Sequence, residues 1–340
     1  MLHGLRGVGK TTLLATMADM ARRQGWMIVE VEAQTSQEGA AALRRRIARD
    51  LDRAIARRRW KRAVLKRLRQ VTREFAVSAS AFGVGVTISR ADSDEERSLG
   101  VELEDLVEEL SSELRKDAVG LGFFIDEMQE LETPLLQVIL AVQHRAAQRG
   151  WPFFVFGAGL PHLPQVLADA RSYAERQFDY RTIGPVTQDE ARDAIAVPVR
   201  RLGQALTGEA ADYIVDASGG YPYFLQVLGY ELWKVAECSP FTMADAIDAV
   251  ESGHESLDSG FYSSRWSRAT DAERRYLTAM AECPGGPIRS GNIAGALGLS
   301  AQSAAPHRDA CIKKGLIYAP ERGVVEFTVP GMDDFIRRQT

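Results

Sequence analysis

Apolar and polar positions along the first half of the chain predict strands and helices in turn. Residues 12–21 carry an apolar stripe at helical spacing. The apolar runs at 26–31, 122–125 and 152–156 predict short buried strands, and the pattern at 134–149 predicts a helix between the last two. Because strands that alternate with helices pair in parallel, these elements predict an α/β fold with a parallel sheet covered on both faces.

Two further patterns lie between the first two of these strands. Residues 37–75 predict one long helical stretch, because Ile47, Leu51 and Ile55 recur every four residues and a similar stripe follows. In residues 76–90, apolar and polar positions alternate, which predicts a β-hairpin.

The second half of the chain has a different pattern. Residues 187–264 are helical only. Residues 267–340 predict three short helices and then a β-hairpin, which is the element order of a winged helix-turn-helix. Pro306 suits the first turn of the third helix. The three helices are predicted at 271–280, 290–297 and 306–314.

The length of 340 residues and 37.5 kDa predicts two or three domains. The patterns place a core at 1–186, with an insertion at about 41–117, followed by a helical domain at 187–266 and the winged helix at 267–340. No apolar run approaches the roughly 18 residues that span a bilayer, and no signal peptide follows Met1. Three cysteines without CxxC spacing argue against zinc. These features predict a cytoplasmic protein.

Charge is distributed unevenly, although a net charge of −4 argues against a surface built throughout for nucleic acid. Residues 44–73 carry 14 Lys or Arg against two Asp, and residues 92–117 carry 11 Asp or Glu against three Lys or Arg. Either the two blocks face each other, or water, across a helix pair, or the basic block binds a nucleic acid or an acidic partner. The sequence leaves both interpretations open.

A glycine-rich motif opens the chain. Gly4, Gly9, Lys10 and Thr11 match the spacing GxxxxGK[ST], directly before the helix at 12–21. Glycines let backbone N–H groups curl around a phosphate, and the helix directs the positive end of its dipole at the anion. The motif therefore predicts ATP bound with Mg²⁺, with Lys10 bridging the β- and γ-phosphates and the Thr11 hydroxyl as a metal ligand.

A pair of carboxylates follows the strand at 122–125. Asp126 and Glu127 would lie at the carboxyl edge of the parallel sheet, where such folds bind ligands. We expect Asp126 to hold Mg²⁺ and Glu127 to act as the general base that polarises the attacking water.

With these motifs in place, the chain resembles the AAA+ ATPases of the origin-recognition type, and among them the bacterial ATP-binding proteins related to STAND ATPases. The resemblance covers most of the chain and implies a P-loop NTPase sheet with a helical lid at 187–266 and a C-terminal winged helix. It rests on GLRGVGKTT at 4–12 and FFIDEMQEL at 123–131, and extends to GAGLPHLP at 157–164, YAERQF at 173–178 and GGYPYFLQ at 219–226.

The resemblance implies a polar sensor residue for the γ-phosphate at the end of the strand at 152–156. This chain departs from that pattern, because it has only Gly157, Ala158 and Gly159 there and none of them offers a polar side chain. The residues predicted to contact the nucleotide are Gly4, Arg6, Gly7, Val8, Gly9, Lys10, Thr11, Thr12, Asp126 and Pro222.

Two more residues receive roles from the resemblance. Arg176 matches an arginine that acts on a nucleotide in its own or a neighbouring subunit, which allows for a nucleotide-dependent homo-oligomer. The alternative is a surface arginine paired with Glu175 or Asp179. Pro222 matches the lid proline that packs near the adenine, and its alternative is a plain helix-breaking turn.

The winged helix has two interpretations. Its third helix offers basic side chains to a DNA major groove, but residues 267–340 carry almost equal numbers of basic and acidic residues, which favours a protein contact. The basic side chains are His307, Arg308, Lys313 and Lys314.

Three functions remain open on this sequence. The first is an ATP-hydrolysing switch or remodeller that acts on a protein partner. The second is a DNA-binding ATPase of initiator or transposition-helper type, which uses the winged helix or the basic block at 44–73. The third is a nucleotide-binding scaffold with negligible turnover.

Only Met1, Leu2 and His3 precede the glycine motif, although a central strand of about five or six residues usually launches such a loop. We therefore expect the strand to be a stub, and the chain to be an N-terminally shortened form that is less stable and binds ATP more weakly than an extended one.

Overall fold

The computed structural model describes residues 1–33, 40–77 and 91–339. They fall into two compact units. The first comprises Met1–His3, Lys10–Gly159 and Leu163–Thr182, and the second comprises Gly4–Gly9, Leu160–His162 and Ile183–Thr340. One core of buried apolar residues lies in the first unit, and two lie in the second. The bounds of the three predicted domains stay predictions.

A five-stranded sheet with all neighbours parallel forms the first unit, in the order β2-β3-β4-β1-β5. Strand β3, which lies between β2 and β4, is buried from Leu121 to Ile125, as expected for a strand covered on both faces. The predicted α/β fold with a parallel sheet is therefore confirmed. The strands are β1 (Leu2–His3), β2 (Met27–Glu32), β3 (Leu121–Asp126), β4 (Phe153–Gly159) and β5 (Arg181–Thr182).

Helices surround this sheet, and the apolar stripes found in the sequence form their buried faces. Leu14 and Ala18 of α1 are buried, as are Ile47, Leu51 and Ile55 of α2. The helices of this unit are α1 (Lys10–Arg23), α2 (Ala40–Ala56), α3 (Arg62–Val77), α4 (Ala91–Lys116), α5 (Thr133–Arg149), α6 (Leu163–Ala170) and α7 (Ala174–Gln177).

The single long helix predicted for 37–75 is wrong, because α2 and α3 are separate helices with a break at 57–61. Tertiary contacts stabilise the non-helical segment at 57–61. The Trp60 indole N–H donates to Asp117 at 2.6 Å, Arg58 donates to the Gly25 carbonyl, and the Arg58 guanidinium lies 5.6 Å from the Trp60 ring. The helical periodicity of the sequence extends across residues 57–61, but long-range contacts hold these residues in a non-helical conformation.

The two charge blocks meet in part. Arg67 of α3 forms an ion pair with Glu109 of α4, and the Trp60–Asp117 hydrogen bond joins the break to the segment after α4. The hairpin predicted at 76–90 is wrong for its first two residues, which belong to α3, and the rest of it lies outside the described residues.

The second unit begins with a helical stretch, as predicted. Three of its helices start with a threonine whose side chain accepts a backbone hydrogen bond in a capping box, namely Thr187, Thr242 and Thr270. The helices of this first stretch are α8 (Gln188–Arg201), α9 (Gly208–Ser218), α10 (Pro222–Val235), α11 (Met243–Ser256), a π-helix (Leu257–Tyr262) and α12 (Ser263–Trp266), and Thr270 precedes the next helix along the chain.

The last part of the unit has the predicted order of three helices and a hairpin, with a short strand and a final helix added. The hairpin and that strand form an antiparallel sheet in the order β6-β8-β7. The winged-helix identity of this part stays a prediction. Its elements are α13 (Asp271–Ala281), β6 (Ile288–Arg289), α14 (Ser290–Ala296), α15 (Ala301–Lys313), β7 (Ile317–Tyr318), β8 (Val324–Phe327) and α16 (Met332–Gln339).

Pro306 is not in the first turn of its helix, which corrects the predicted start. Helix α15 begins five residues earlier, because the Ser300 hydroxyl caps it by accepting from the Ser303 N–H at 3.1 Å. The exposed Pro306 then lies inside the helix.

Lys314 is not available for DNA. Its ammonium group donates to the buried Glu273 carboxylate at 2.6 Å and to the Arg268 carbonyl at 2.9 Å. Arg308 pairs with Asp309 at 2.8 Å, and Lys313 is exposed. Of the four predicted side chains, Lys313 is therefore the one fully presented to solvent.

None of the described helices has the length and apolar character needed to cross a membrane. The three cysteines are free, with Cys238 exposed, Cys283 half-buried and Cys311 buried. Burial raises the pKa of the Cys311 thiol to about 12, so this side chain behaves as an apolar core residue.

Candidate nucleotide-binding site

The glycine motif forms a loop whose backbone only glycine tolerates. Gly7 and Gly9 have φ of +89° and +88°. A Cβ at Gly4 would lie 2.0 Å from the Ile183 carbonyl oxygen, and one at Gly7 would lie 3.0 Å from the Tyr221 ring. Val8 is buried. The motif's spacing requires Gly4 and Gly9, whereas Gly7 is required by packing that the sequence did not reveal.

Neighbouring segments of the second unit hold this loop. The buried Tyr221 hydroxyl donates to the Arg6 carbonyl, and the Tyr223 N–H donates to the Gly7 carbonyl at 3.2 Å. The Arg6 N–H donates to the Thr328 carbonyl at 3.2 Å. Burial raises the pKa of Tyr221, so its hydroxyl keeps the proton it donates.

Pro222 is the first residue of α10, the position that proline suits best in a helix. It stands between Tyr221 and Tyr223, the two residues whose contacts fix the loop. Sequence reasoning chose the proline and missed both tyrosines. A large aromatic on each side of a helix-starting proline was the available signal.

Lys10 and Thr11 open α1 in the first unit. Lys10 is buried, with 7% of its surface exposed, and Thr11 Oγ1 donates to Asp126 Oδ2 at 2.7 Å. Thr12 follows on the same helix and is exposed. Thus two predicted metal ligands, 115 residues apart in sequence, are in direct contact.

Asp126 is the last residue of β3, and Glu127 begins the turn after it. The Glu127 N–H donates to Asp126 Oδ1 at 3.0 Å. Glu127 has φ of +48°, in the left-handed region that residues other than glycine seldom adopt. Such a backbone costs on the order of 1–3 kcal/mol and is frequent at functional sites.

Gln129 positions Glu127 and was missed by sequence reasoning. Its amide Nε2 donates to Glu127 Oε2 at 2.6 Å, from the 3₁₀ helix Met128–Glu130. The available signal for it was an amide side chain two positions after Glu127.

The turn after β3 leaves no room for side chains at Gly157 and Gly159, the glycines at the end of β4. A Cβ at Gly157 would lie 2.4 Å from Met128 Sδ, and one at Gly159 would lie 2.3 Å from Gln129 Oε1. Side chains after β3 thus occupy the space that a polar sensor on β4 would need.

Hydroxyl and carboxylate oxygens are the donors that Mg²⁺ prefers, and Mg²⁺ commonly takes only one or two protein ligands beside phosphates and water. The contact between Thr11 and Asp126 fits that requirement. Among the described residues, no group of three or more His, Cys, Asp or Glu has metal-binding geometry. Thr11 and Asp126 therefore suit a metal ion that is also coordinated by the phosphates of a bound nucleotide.

Arg176 lies on α7 and is exposed. The ion pairs expected with Glu175 or Asp179 are absent from the described residues, and Asp179 accepts hydrogen bonds from Arg181 at 2.7 and 3.0 Å instead. Its role on a nucleotide stays a prediction.

Comparison with known proteins agrees with this site. Residues 1–156 match the family described as AAA ATPase domain. Residues 259–336 match a family described as a domain of unknown function, DUF8462. The match over residues 1–156 confirms, for this part of the chain, the resemblance to AAA+ ATPases. The curated proteins contain no match.

One solved structure supports the fold. A Walker-type ATPase of Pyrococcus abyssi is 15% identical with a TM-score of 0.57, over 99% of this chain and 90% of that one. ORC2 of Aeropyrum pernix (13% identity, TM-score 0.46, 100% and 88% covered) and Cdc6p of Pyrobaculum aerophilum (14%, 0.44, 99% and 87%) are also similar. The last two TM-scores are too low to establish a shared fold.

Proposed function

We propose that this chain binds ATP with Mg²⁺ and hydrolyses it to ADP and phosphate, as a switch or remodelling ATPase that acts on a protein partner. The observation that carries the proposal is the 2.7 Å hydrogen bond from Thr11 to Asp126, with Glu127 next in the chain. The AAA ATPase domain match over residues 1–156 supports the same reaction.

The glycine loop and the start of α1 would bind the phosphates of ATP. The backbone N–H groups of 4–12 would surround the β-phosphate, and the buried Lys10 ammonium would bridge the β- and γ-phosphates. Thr11 and Asp126 would hold Mg²⁺, which neutralises phosphate charge when bound. Pro222, beside the loop-binding tyrosines, would pack near the adenine.

Hydrolysis would depend on Glu127. Its carboxylate would accept the proton of the attacking water, and the Gln129 amide would keep one carboxylate oxygen in place. Arg176 would act from its exposed position on a nucleotide in its own or a neighbouring subunit of a homo-oligomer.

The test is phosphate release from Mg-ATP by the unaltered chain and by Glu127→Gln. We expect Glu127→Gln to bind ATP normally but turn over roughly 10²-fold more slowly, because a positioned general base is lost. The exposed Glu132 supplies the matched control, Glu132→Gln, with unchanged turnover. Equal turnover in all three proteins would remove Glu127 from the reaction.

A second candidate function, a DNA-binding ATPase, is favoured by the basic surface of α2, α3 and their connection. Seven exposed cations there have no ion pair with any described residue, so they would be available to phosphates. Binding to heparin or duplex DNA that weakens steeply with salt would support this candidate. The seven are Arg45, Arg57, Arg59, Lys61, Arg62, Lys66 and Arg73.

A third candidate, a nucleotide-binding scaffold with negligible turnover, is favoured by the occupied space at the end of β4, where Gly157 and Gly159 meet Met128 and Gln129. Tight ATP binding without phosphate release would support it. A pull-down with Glu127→Gln held in ATP, analysed for protein and nucleic acid together, would identify the partner.

A further inference from the structure

A cavity of about 310 Å³ opens beside the predicted catalytic residues, entirely within the first unit. Thr11, Asp126 and Glu127 form part of its wall, together with apolar residues of α1 and β2. Arg46 of α2 lines the same cavity. The arginine belongs to the basic block of the sequence, but its surroundings differ from those of its neighbours.

Helix α2 packs against β2, and this packing turns Arg46 inward. Arg45 and Arg49 on the same helix are exposed, whereas Arg46 is half-buried. The Nε atom of Arg46 is buried and has no hydrogen-bond partner within the described part of the chain. No described carboxylate forms an ion pair with it either. A buried guanidinium nitrogen without a hydrogen-bond partner is unfavourable, so this position suits an anion that the described residues do not supply, such as a bound ligand.

Nearby carboxylates do not supply that anion. Asp126 accepts from the Thr11 hydroxyl, Glu127 accepts from the Gln129 amide, and Glu30 is paired with Arg22. These three carboxylates of the cavity wall are therefore engaged by other groups, whereas the fourth, Glu32, is exposed and forms no ion pair with Arg46.

The sheet order adds a topological argument. Strand β3, which carries Asp126, lies between β4 and β2. The end of β4 offers no polar side chain, because Gly157 and Gly159 are covered by the turn after β3. The other neighbour of β3 is β2, and Arg46 is on the helix that follows β2, so this side can supply a charged side chain to the phosphate.

We propose that Arg46 is a catalytic residue that binds the γ-phosphate of ATP within its own subunit, in place of a polar side chain from β4. The inference rests on the proposed ATPase function. The water oxygen bonds to the γ-phosphorus while the bond from that phosphorus to the bridging oxygen breaks, with its electron pair staying on ADP. The water proton passes to Glu127 and then to solvent, and the Arg46 guanidinium neutralises charge on the γ-phosphate oxygens.

The experiment compares Arg46→Ala and Arg46→Lys with the unaltered chain and with Arg49→Ala, an exposed arginine on the same helix. Affinities for Mg-ATP and Mg-ADP are measured in the Glu127→Gln background, and turnover is measured in the native background. Arg46→Ala should slow turnover roughly 10²-fold, as the loss of one transition-state donor does. It should also weaken ATP binding by about 10-fold or more while ADP binding stays the same.

Added guanidinium chloride at millimolar concentration should restore part of the turnover of Arg46→Ala, which a purely structural role would not allow. Arg46→Lys keeps the charge but loses the planar fork, so it should be intermediate. It also serves as the test variant if Arg46→Ala melts at a lower temperature. Arg49→Ala should match the unaltered chain.

Two failures are distinguishable. If the unaltered chain binds ATP without hydrolysing it, the proposed reaction fails, and the ratio of ATP to ADP affinity still decides the role of Arg46. If the unaltered chain hydrolyses ATP and Arg46→Ala keeps both its turnover and its affinity ratio, the role of Arg46 is overturned and the ATPase function stands. A chain that binds no nucleotide overturns both.

Discussion

The side-chain amide of Gln129 donates a hydrogen bond to Glu127 Oε2 at 2.6 Å, two residues along the same turn. Glu127 itself has a left-handed backbone, with φ of +48°. The hydrogen bond from the Gln129 amide restricts the orientation of the Glu127 carboxylate. Gln129 is thus a positioning residue for the predicted general base.

We expect Gln129→Ala to lower the turnover number about 10-fold or more, because a carboxylate that is no longer held misaligns with the attacking water. Affinity for Mg-ATP should stay the same, since Gln129 is expected to act only through Glu127. Phosphate release and calorimetry measure the two quantities. The exposed Gln165 gives the control Gln165→Ala, which should match the unaltered chain. A loss of affinity equal to the loss of turnover would contradict a positioning role.

Lys10→Ala should weaken ATP binding about 10²-fold, because a charge-assisted contact to the phosphates is lost from a buried position. Calorimetry with Mg-ATP measures this change, and Lys116→Ala, on the exposed side of α4, is the control. An unchanged Kd in Lys10→Ala would mean that the glycine motif is not a phosphate loop in this protein.

Much of the fold could be predicted from the sequence because local periodicity and burial agree there. Strand β3 is a continuous apolar run, and the apolar stripes of α1 and α2 are buried as predicted. The break between α2 and α3 could not be predicted, since it depends on contacts of Trp60 and Arg58 with distant residues. The start of α15 was missed because proline at 306 was given more weight than the capping Ser300.

Some residues of the candidate site could also be predicted from the sequence, and others could not. Motif spacing identified Thr11 and Asp126, and the structure places their oxygens 2.7 Å apart. Tyr221, Gln129 and Arg46 were not identified, because the hydrogen bonds of the first two and the position of Arg46 beside the cavity arise only in the folded chain. No fixed spacing relates them to the glycine motif, so sequence alone carries little information about them.

Acid should destabilise the protein partly through Glu273. Burial raises the pKa of its carboxyl, but hydrogen bonds from Lys314 and Thr270 lower the pKa more, so the net pKa lies below its ordinary value. A carboxyl with a lowered pKa in the folded state stabilises fully above its unfolded pKa of about 4.3, and this contribution is lost as the pH falls through the folded pKa.

The measurement is melting temperature against pH for the unaltered chain, for Glu273→Gln and for the exposed control Glu282→Gln. Glu273→Gln should lower the melting temperature at neutral pH, because Lys314 loses its charged partner. The difference should shrink below a pH of about 4, where the native carboxyl takes up a proton. A difference that stays constant from neutral to acid pH would show that the ion pair does not contribute.

The two basic surfaces can be separated by paired substitutions. Arg308→Ala with Lys313→Ala changes α15, where Lys314 is already engaged by Glu273, and should leave the melting temperature and ATP turnover as they are. Because residues 267–340 are almost balanced in charge, we expect this variant to keep whatever affinity for duplex DNA the chain has.

Arg59→Ala with Arg62→Ala removes two exposed cations without ion pairs among the described residues. It should weaken any DNA binding and make it less dependent on salt, since each lost phosphate contact reduces the number of released counterions. Binding is measured by fluorescence anisotropy of labelled duplexes at several salt concentrations. A nanomolar, sequence-dependent complex that Arg308→Ala with Lys313→Ala abolishes would show that α15 reads DNA, and it would place the DNA-binding candidate above the protein-partner candidate.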